Sequence, residues 1–277
     1  MSSRLKNITF IAKDFTMTIF LNQDQIARKA PSVFTSGSYE KTGSKYAPIS
    51  TYSVLEGLFD LGFGVTHASE SRCRTKERFG FGRHMLRLRR HNEQEINGNF
   101  PELVLVNAHD GSSSYQLRAG VYRLVCSNGM VVGNDLFCQR VRHQGDVVGR
   151  VADAGGEIIE VFPTVIDKAE EWSKIELNPL QQGFFADSAK LLKWDEDGDS
   201  EVYSPDLLRS RRYADNKSDL WTTFNVVQEN IIKGGVRTIN KESRQRRRSR
   251  EVKSPYENNR LNTALWRLTE KMASLAV

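Results

Sequence analysis

Residues 83–90 alternate between two kinds of side chain, and this alternation constrains the fold more than any other feature of the sequence. Leu86 and Leu88 occupy one set of positions, and Arg87 and Arg89 occupy the other. Successive side chains of a β-strand point to opposite faces of its sheet. The pattern therefore predicts a strand whose leucines face the core and whose arginines lie together on the opposite face.

Further strand signals follow along the chain. Residues 64–75 alternate loosely, residues 102–108 are mainly apolar, and residues 116–126 return after a turn at His109 to Ser112. Two strand-like runs separated by a turn of this kind predict a hairpin. We therefore expect the region 64–151 to be mainly antiparallel β-sheet.

Helical periods flank this block on both sides. A helix is predicted from Tyr52 to Leu61, capped by Ser50 or Thr51 and ended by Gly62. Other helices are predicted at residues 22–28, 157–176, 178–192, 220–232 and 259–276, and Pro163 either kinks the helix at 157–176 or marks its true start.

The fold class that follows is α+β, with an antiparallel sheet core at about residues 64–151 preceded by one helix and followed by a helical C-terminal half. We divide the chain into an irregular segment at 1–48, an α+β core with a long helix at 49–176, and a helical region at 177–277. The last of these contains a basic loop at 237–253.

Positive charge is concentrated in two tracts, whereas the rest of the chain is net acidic. The first tract has eight cations against the single acid Glu77: Arg72, Arg74, Lys76, Arg78, Arg83, Arg87, Arg89 and Arg90. The second has eight cations against Glu242 and Glu251: Arg237, Lys241, Arg244, Arg246, Arg247, Arg248, Arg250 and Lys253. Concentrated charge of this kind creates a local field that attracts polyanions.

Arginine dominates both tracts, and it binds phosphate through two parallel hydrogen bonds. The candidate nucleic-acid-binding residues are Arg72, Arg74, Lys76, Arg83, Arg87, Arg89, Arg90, Arg244, Arg246, Arg247, Arg248 and Arg250. An arginine-bearing sheet face near Phe79 and Phe81 suits single-stranded nucleic acid. The alternative for this strand is an edge strand kept soluble by its charges.

The run from Arg244 to Arg250 is expected to be a flexible loop, because five arginines in seven residues repel one another. The alternative to a nucleic-acid-binding role is that this run is simply a solvated surface. A flexible basic loop is still compatible with function, since such segments often become ordered on nucleic acid.

No motif of an enzyme or a metal site stands out. The five histidines show no HxxxH or HExxH spacing, the three cysteines form no CxxC pair, and no phosphate-binding glycine loop is present. The pair His109 and Asp110 fits a turn in which Asp110 bonds the backbone better than an acid–base pair. The acidic run at 195–199 has its glycine at the wrong position for a calcium loop. We therefore expect a non-enzymatic protein without metal or cofactor.

The odd number of cysteines, with gaps that suit neither disulfides nor zinc, predicts reduced thiols in a cytoplasmic protein. No window approaches 18 uninterrupted apolar residues, and the first 20 residues lack the pattern of a signal peptide. We expect a protein that does not bind membranes.

Several segments carry a resemblance to a known family: KAPSVF at 29–34, YAPISTY at 46–52, RHMLRLR at 83–89, VNAHDGS at 106–112 and YRLVCSNG at 122–129. In this order they resemble an uncharacterised domain-of-unknown-function family carried on phages, prophages and plasmids, typified by the enterobacterial YafZ, YfjQ and YubP. The resemblance implies a bacterial host and a mobile element, and it supplies no catalytic residues.

The predicted order of one helix, several antiparallel strands and a long helix is also similar to the core of phage single-strand annealing proteins. In that group a basic groove holds single-stranded DNA, and subunits assemble into rings or filaments. This is an analogy of fold without a shared motif.

The first hypothesis is therefore a DNA-binding protein of a mobile element, which binds or anneals single strands as a homo-oligomer. RNA and duplex DNA are other possible ligands. The second is a protein-binding module that inhibits a host defence or repair factor, and the third, with least support, is an unrecognised nuclease or other enzyme.

Overall fold

The protein is described from a computed structural model, which covers residues 20–37, 39–40, 42, 50–72, 75–93, 95, 98–123, 128–131, 138–141, 147–194 and 198–276. In these ranges the helices are α1 (Gln23–Lys29), α2 (Thr51–Asp60), α3 (Val147–Glu160), α4 (Phe162–Trp172), α5 (Pro179–Leu191), α6 (Leu220–Lys233) and α7 (Pro255–Ala276). The strands are β1 (Phe63–Glu70), β2 (His84–Arg90), β3 (Asn99–Asn107), β4 (Tyr115–Arg123), β5 (Asn128–Val131), β6 (Cys138–Val141), β7 (Ser200–Val202), β8 (Arg237–Asn240) and β9 (Arg246–Arg248). The predicted α+β class is confirmed.

The main sheet is antiparallel, and its strands β1 to β4 lie side by side in chain order. The short strands β5 and β6 both pair with β4, and each takes one half of its remaining edge. Strands β1 to β4 each pair with the next strand in the chain, so this part of the sheet needs no crossover, which agrees with the turn signals in the sequence.

One face of this sheet forms the core. Leu86 and Leu88 are fully buried, as the alternation predicts. Strand β3 is buried along its whole length. Helix α2 contacts β1, while α3 and α4 both contact β3 and β4.

The helix ends follow the local signals that the sequence contains. Asn22 and Asn178 begin α1 and α5 with capping boxes, in which the asparagine and a glutamine three residues later satisfy each other's backbone N–H groups. Ser50 caps α2 through the N–H of Tyr52. Gly62 ends that helix with a φ of 82°, a conformation that suits glycine.

The helix predicted at 157–176 is in fact two helices, and this part of the prediction is corrected. Helix α3 begins at Val147, inside the region expected to be mainly β, and ends at Glu160. Helix α4 then starts at Phe162 with Pro163 in its first turn. Proline lacks an N–H and blocks the preceding turn, so it is tolerated at a helix start and disrupts an interior. Pro163 therefore marks the start of a helix and does not kink a longer one.

The C-terminal half packs around α6, which is buried on nearly every side. Trp172, Trp221, Phe224 and Trp266 bring α4, α6 and α7 together, and the rings of Trp172 and Trp266 are 4.6 Å apart. A second, three-stranded antiparallel sheet has the order β7–β8–β9. Apart from Met85, Val104 and Val106, which form a second, small cluster, most buried apolar residues of the described chain form one cluster whose members extend from Ile26 to Ala273. This shared core crosses both segment boundaries proposed from the sequence.

Among the helices in the described part of the chain, none combines the length and the apolar character that a membrane crossing requires.

Candidate nucleic-acid interface

Arg87 and Arg89 of β2 share one sheet face, as the alternation predicts, but that face is not open to solvent. The side chains of Arg87 and Arg89 are only 6% and 5% exposed. Arg87 Nη1 donates to Glu102 Oε2 at 2.8 Å, and Arg89 Nη2 donates to Glu102 Oε1 at 2.9 Å. Glu102 is fully buried. The expectation that Arg87 and Arg89 line an exposed groove is therefore corrected, because both are bound to a carboxylate inside the protein.

This buried ionic group has further neighbours. The guanidinium carbon of Arg89 lies 4.1 Å from the ring centre of Phe100 and 4.7 Å from that of Tyr122. The sheet register places Arg118 in the same row as Arg87, with Val104 between them. Arg118 is buried too, and the sequence analysis did not single it out. Arg87, Val104 and Arg118 lie side by side because of the register between β2, β3 and β4. The sequence does not show this register, so Arg118 could not be identified from it.

The exposed part of the first tract lies between β1 and β2. Lys76 and Arg78 belong to an exposed single turn of 3-10 helix, and Phe79 directly after it is 69% exposed. The guanidinium carbon of Arg78 lies 5.5 Å from the ring centre of Tyr39. Arg72 and Arg90 are exposed as well, whereas Arg74 lies outside the described residues. Cations and an exposed aromatic ring thus occur together on this loop.

The second tract is an ordered hairpin, which corrects the expectation of a flexible loop. Arg246 to Arg248 form β9, which pairs with β8 in the three-stranded sheet. The side chain of Asn240 shapes the turn by accepting hydrogen bonds from the backbone N–H groups of Glu242 and Ser243. The backbone hydrogen bonds between β8 and β9 hold the run in place. Repulsion between its arginine side chains does not prevent this pairing.

Most of the arginines on this hairpin lack an acidic partner. Arg237 is the exception, since its guanidinium binds Asp206 through two hydrogen bonds of 3.0 and 3.1 Å. Among the ion pairs of the described residues, none involves the five exposed arginines that follow: Arg244, Arg246, Arg247, Arg248 and Arg250. Uncompensated charges at this density produce a strong local positive field.

A contact between side chains connects the two tracts. The guanidinium carbon of Arg83 lies 4.8 Å from the ring centre of Tyr256, and Arg83 Nη2 also donates to the carbonyl of Ser112 at 2.9 Å. Tyr256 stands in the first turn of α7, shortly after Lys253 at the end of the second tract. An arginine of the first tract therefore touches the helix that immediately follows the second tract.

A further basic segment, which the sequence analysis did not propose as a site, lies beside the hairpin. Arg211 donates to the carbonyl of Gly234, and Arg248 Nη1 donates to the carbonyl of Gly235 at 2.9 Å. Arg209, which is 70% exposed, lies 3.7 Å from Asp206. The signal that marks this segment is the short run RSRR at 209–212.

The histidines on β2 and after β3 belong to a closed polar cluster. The hydroxyl of Thr51 lies 2.8 Å from His84 Nε2 and 3.3 Å from His109 Nε2, and Asn107 donates to it at 2.9 Å. All four residues are fully buried. Asp110 accepts from the N–H of Ser112, which is the turn predicted for it. The cluster joins the start of α2 to two strands and offers a substrate no access.

Within the described part of the chain, no group of three or more histidine, cysteine or acidic side chains is arranged to hold a metal ion. Cys138 is free there, while Cys73 and Cys126 lie outside the described residues, as do residues 195–197 of the acidic run.

Comparisons with known proteins place the chain among relatives of unknown function. A family profile described as "Domain of unknown function (DUF932)" matches residues 39–266. The chain is 36% identical over 273 residues to the "UPF0380 protein YfjQ" and to the "UPF0380 protein YafZ", both of Escherichia coli (strain K12). In each case the match covers 98% of this chain and 97% of the relative. No solved structure shows significant similarity.

Proposed function

The chain belongs to the DUF932 family, and we propose that it is a non-enzymatic nucleic-acid-binding protein of a mobile genetic element. Its ligand is single-stranded DNA, which it binds or anneals as a homo-oligomer in the cytoplasm. The family name assigns no activity, so the proposal is based on the charged surface.

One observation carries the proposal: the hairpin β8–β9 presents exposed arginines without acidic partners. Ordinary surface arginines are often accompanied by acids, as Arg260 is by Glu257. The run at 244–250 lacks this compensation although the hairpin holds its charges close together. Like charges held together destabilise a fold unless a counter-charge is bound, and a phosphate backbone supplies that counter-charge.

The first tract supports the same proposal with fewer residues than the sequence suggested. Its remaining contributors are the cations that are not buried, of which Lys76 and Arg78 precede the exposed ring of Phe79: Arg72, Lys76, Arg78, Arg83 and Arg90. Arg83 connects them to Tyr256 and so to the end of the second tract. Cations that bind phosphates beside aromatic rings that stack on bases are the usual components of a single-strand site.

A salt titration of binding to a labelled single-stranded oligonucleotide tests the proposal. If about four phosphates are neutralised, log affinity against log salt has a slope of roughly −3 for a single strand. A slope near zero, or no binding at low salt, would contradict it. Size measurement of the complex by light scattering tests assembly separately, since a homo-oligomer gives a multiple of the 31.5 kDa chain mass.

A second candidate is a protein-binding module that inhibits a host defence or repair factor. The observation that favours it is an apolar stripe on α5, where Leu180, Phe184 and Leu191 are 66%, 58% and 45% exposed at helical spacing. A complex with one host protein that survives nuclease treatment and is lost in F184D supports this candidate. Loss of the complex on nuclease treatment favours nucleic acid as the ligand.

A further inference from the structure

The outward face of the small sheet β7–β9 combines charge with apolar surface. In the antiparallel register Arg237 pairs with Arg248, and Ile239 pairs with both Glu201 and Arg246. Residues directly opposite each other share a sheet face. The other face carries Val202 and Thr238, which are buried. The face with Glu201, Arg237, Ile239, Arg246 and Arg248 is therefore the one turned to solvent, and four of these five residues are charged.

Tyr203 extends this outward face by one row. It directly follows β7 with extended backbone angles of φ −81° and ψ 115°. Because Val202 pairs with Thr238, the next residue in an extended chain falls opposite Arg237. The side chain of Tyr203 thus stands on the same face as Arg237, and it is 70% exposed. Tyr203, Arg237 and Arg248 therefore lie side by side in one row across the sheet.

Asp206 divides the arginines of this face into two kinds. Its carboxylate holds Arg237 through two hydrogen bonds, so Arg237 is fixed and its charge is compensated. Arg248 makes one hydrogen bond to the carbonyl of Gly235, which leaves its charge uncompensated. No hydrogen bond of the Arg246 side chain occurs among the described residues. Arg246 and Arg248 are therefore the members of the face that are available to an anion.

We infer that this face is a stacking platform for single-stranded nucleic acid. A base stacks on the ring of Tyr203, a neighbouring base contacts Ile239, and Arg246 and Arg248 bind the phosphates between them. The inference rests on the proposed function and deepens it, because it assigns the contact residues and gives a physical reason for the preference for single strands. A duplex keeps its base faces stacked inside the helix and offers Tyr203 no ring to stack on.

Binding measurements on the full chain with a single-stranded oligonucleotide and a duplex of the same length test the inference. Y203A is expected to weaken single-strand binding by roughly 5- to 150-fold, which is the range for one aromatic–base stack, and to leave duplex binding unchanged. Y203W keeps a stacking ring and retains the affinity. The matched control is Y213A, which removes a tyrosine that is 93% exposed and lies outside the small sheet.

The outcomes separate this inference from the proposed function. Equal affinities of Y203A and Y213A, or equal losses for single strand and duplex, overturn the platform while nucleic-acid binding by the arginines stands. Absence of any binding by the unaltered chain overturns both. As a second measurement, photo-crosslinking of a bromodeoxyuridine oligonucleotide to the unaltered chain is expected to mark Tyr203 and not Tyr213, and the reverse result contradicts the inference.

Discussion

Arg83 packs its guanidinium group over the ring of Tyr256, with 4.8 Å between the guanidinium carbon and the ring centre. Arg83 precedes β2, and Tyr256 stands in the first turn of α7. The contact makes the loop before β2 and the chain that follows the basic hairpin neighbours, although they are far apart in sequence.

We expect the contact between Arg83 and Tyr256 to stabilise the fold where the first tract meets the chain that follows the second. Removing the ring in Y256A costs about 0.5–1 kcal/mol of folding stability, because Tyr256 is half exposed and the cation–ring attraction is weak in water. A double-mutant cycle between R83Q and Y256A, read by chemical denaturation, is expected to show a coupling of that order. A coupling energy of zero would show that the contact does not persist in solution.

The three arginines of β9 are expected to set the salt dependence of binding. Replacing Arg246, Arg247 and Arg248 by glutamine removes up to three phosphate contacts, so the magnitude of the slope for a single strand falls by about 2. The matched control replaces three exposed lysines outside both tracts, Lys174, Lys217 and Lys271, and changes the net charge equally. If the control reduces the slope as much, the attraction depends on overall charge and not on the hairpin.

Glu102 is expected to be essential for stability. It is fully buried between Arg87 and Arg89, and E102Q leaves two buried guanidinium groups without their carboxylate. Loss of one partner from a buried ion pair typically costs about 3–5 kcal/mol. Denaturant unfolding measures the loss. The comparison variant E201Q alters an exposed carboxylate and is expected to stay within about 0.5 kcal/mol of the unaltered chain.

Glu229 gives the protein a predictable response to acid. Burial raises the pKa of its carboxyl, but hydrogen bonds from Arg212 and Lys233, together with their charges, outweigh burial and hold the pKa below its usual value of 4.5. In acid, Glu229 therefore binds protons more readily in the unfolded chain than in the folded chain. The stabilisation is present above pH 4.5 and is lost as pH falls through the folded pKa.

Denaturant unfolding at several pH values tests this response. E229Q is expected to be less stable at neutral pH by about 1–3 kcal/mol, since Arg212 and Lys233 are 32% and 35% exposed and are not left as fully buried charges, and to lose less on acidification than the unaltered chain. E242Q, which alters an exposed carboxylate, is the control. Parallel pH profiles for E229Q and the unaltered chain would contradict the assignment.

Trp266 is expected to anchor α7. Its side chain is fully buried and lies against Trp172 and Phe224, so W266A creates a large cavity and costs about 3–5 kcal/mol. K271A changes an exposed residue of the same helix and is expected to have little effect. Thermal unfolding distinguishes them, and similar midpoints for both variants would show that α7 contributes little to the core.

Much of the candidate site was predictable at the level of pattern. The alternation in β2 correctly placed Arg87 and Arg89 on the face opposite Leu86 and Leu88, and the density of arginine at 244–250 correctly marked an exposed segment. The burial of Arg87 was not predictable, because it depends on Glu102 from another strand. The ordered hairpin was missed since a run of like charges suggests repulsion, whereas backbone pairing with β8 provides the opposing stabilisation.

The sequence by itself determined the local structure: the helix caps at Asn22, Ser50 and Asn178, the turn at Asp110, and the strand period of β2. These depend on interactions within a few residues, so the sequence pattern is sufficient to predict them. The tertiary structure alone decided which positive charges are free to meet a ligand. Charge compensation depends on acids brought in from distant segments, as Glu102 compensates Arg87 and Asp206 compensates Arg237, and only the folded chain brings them together.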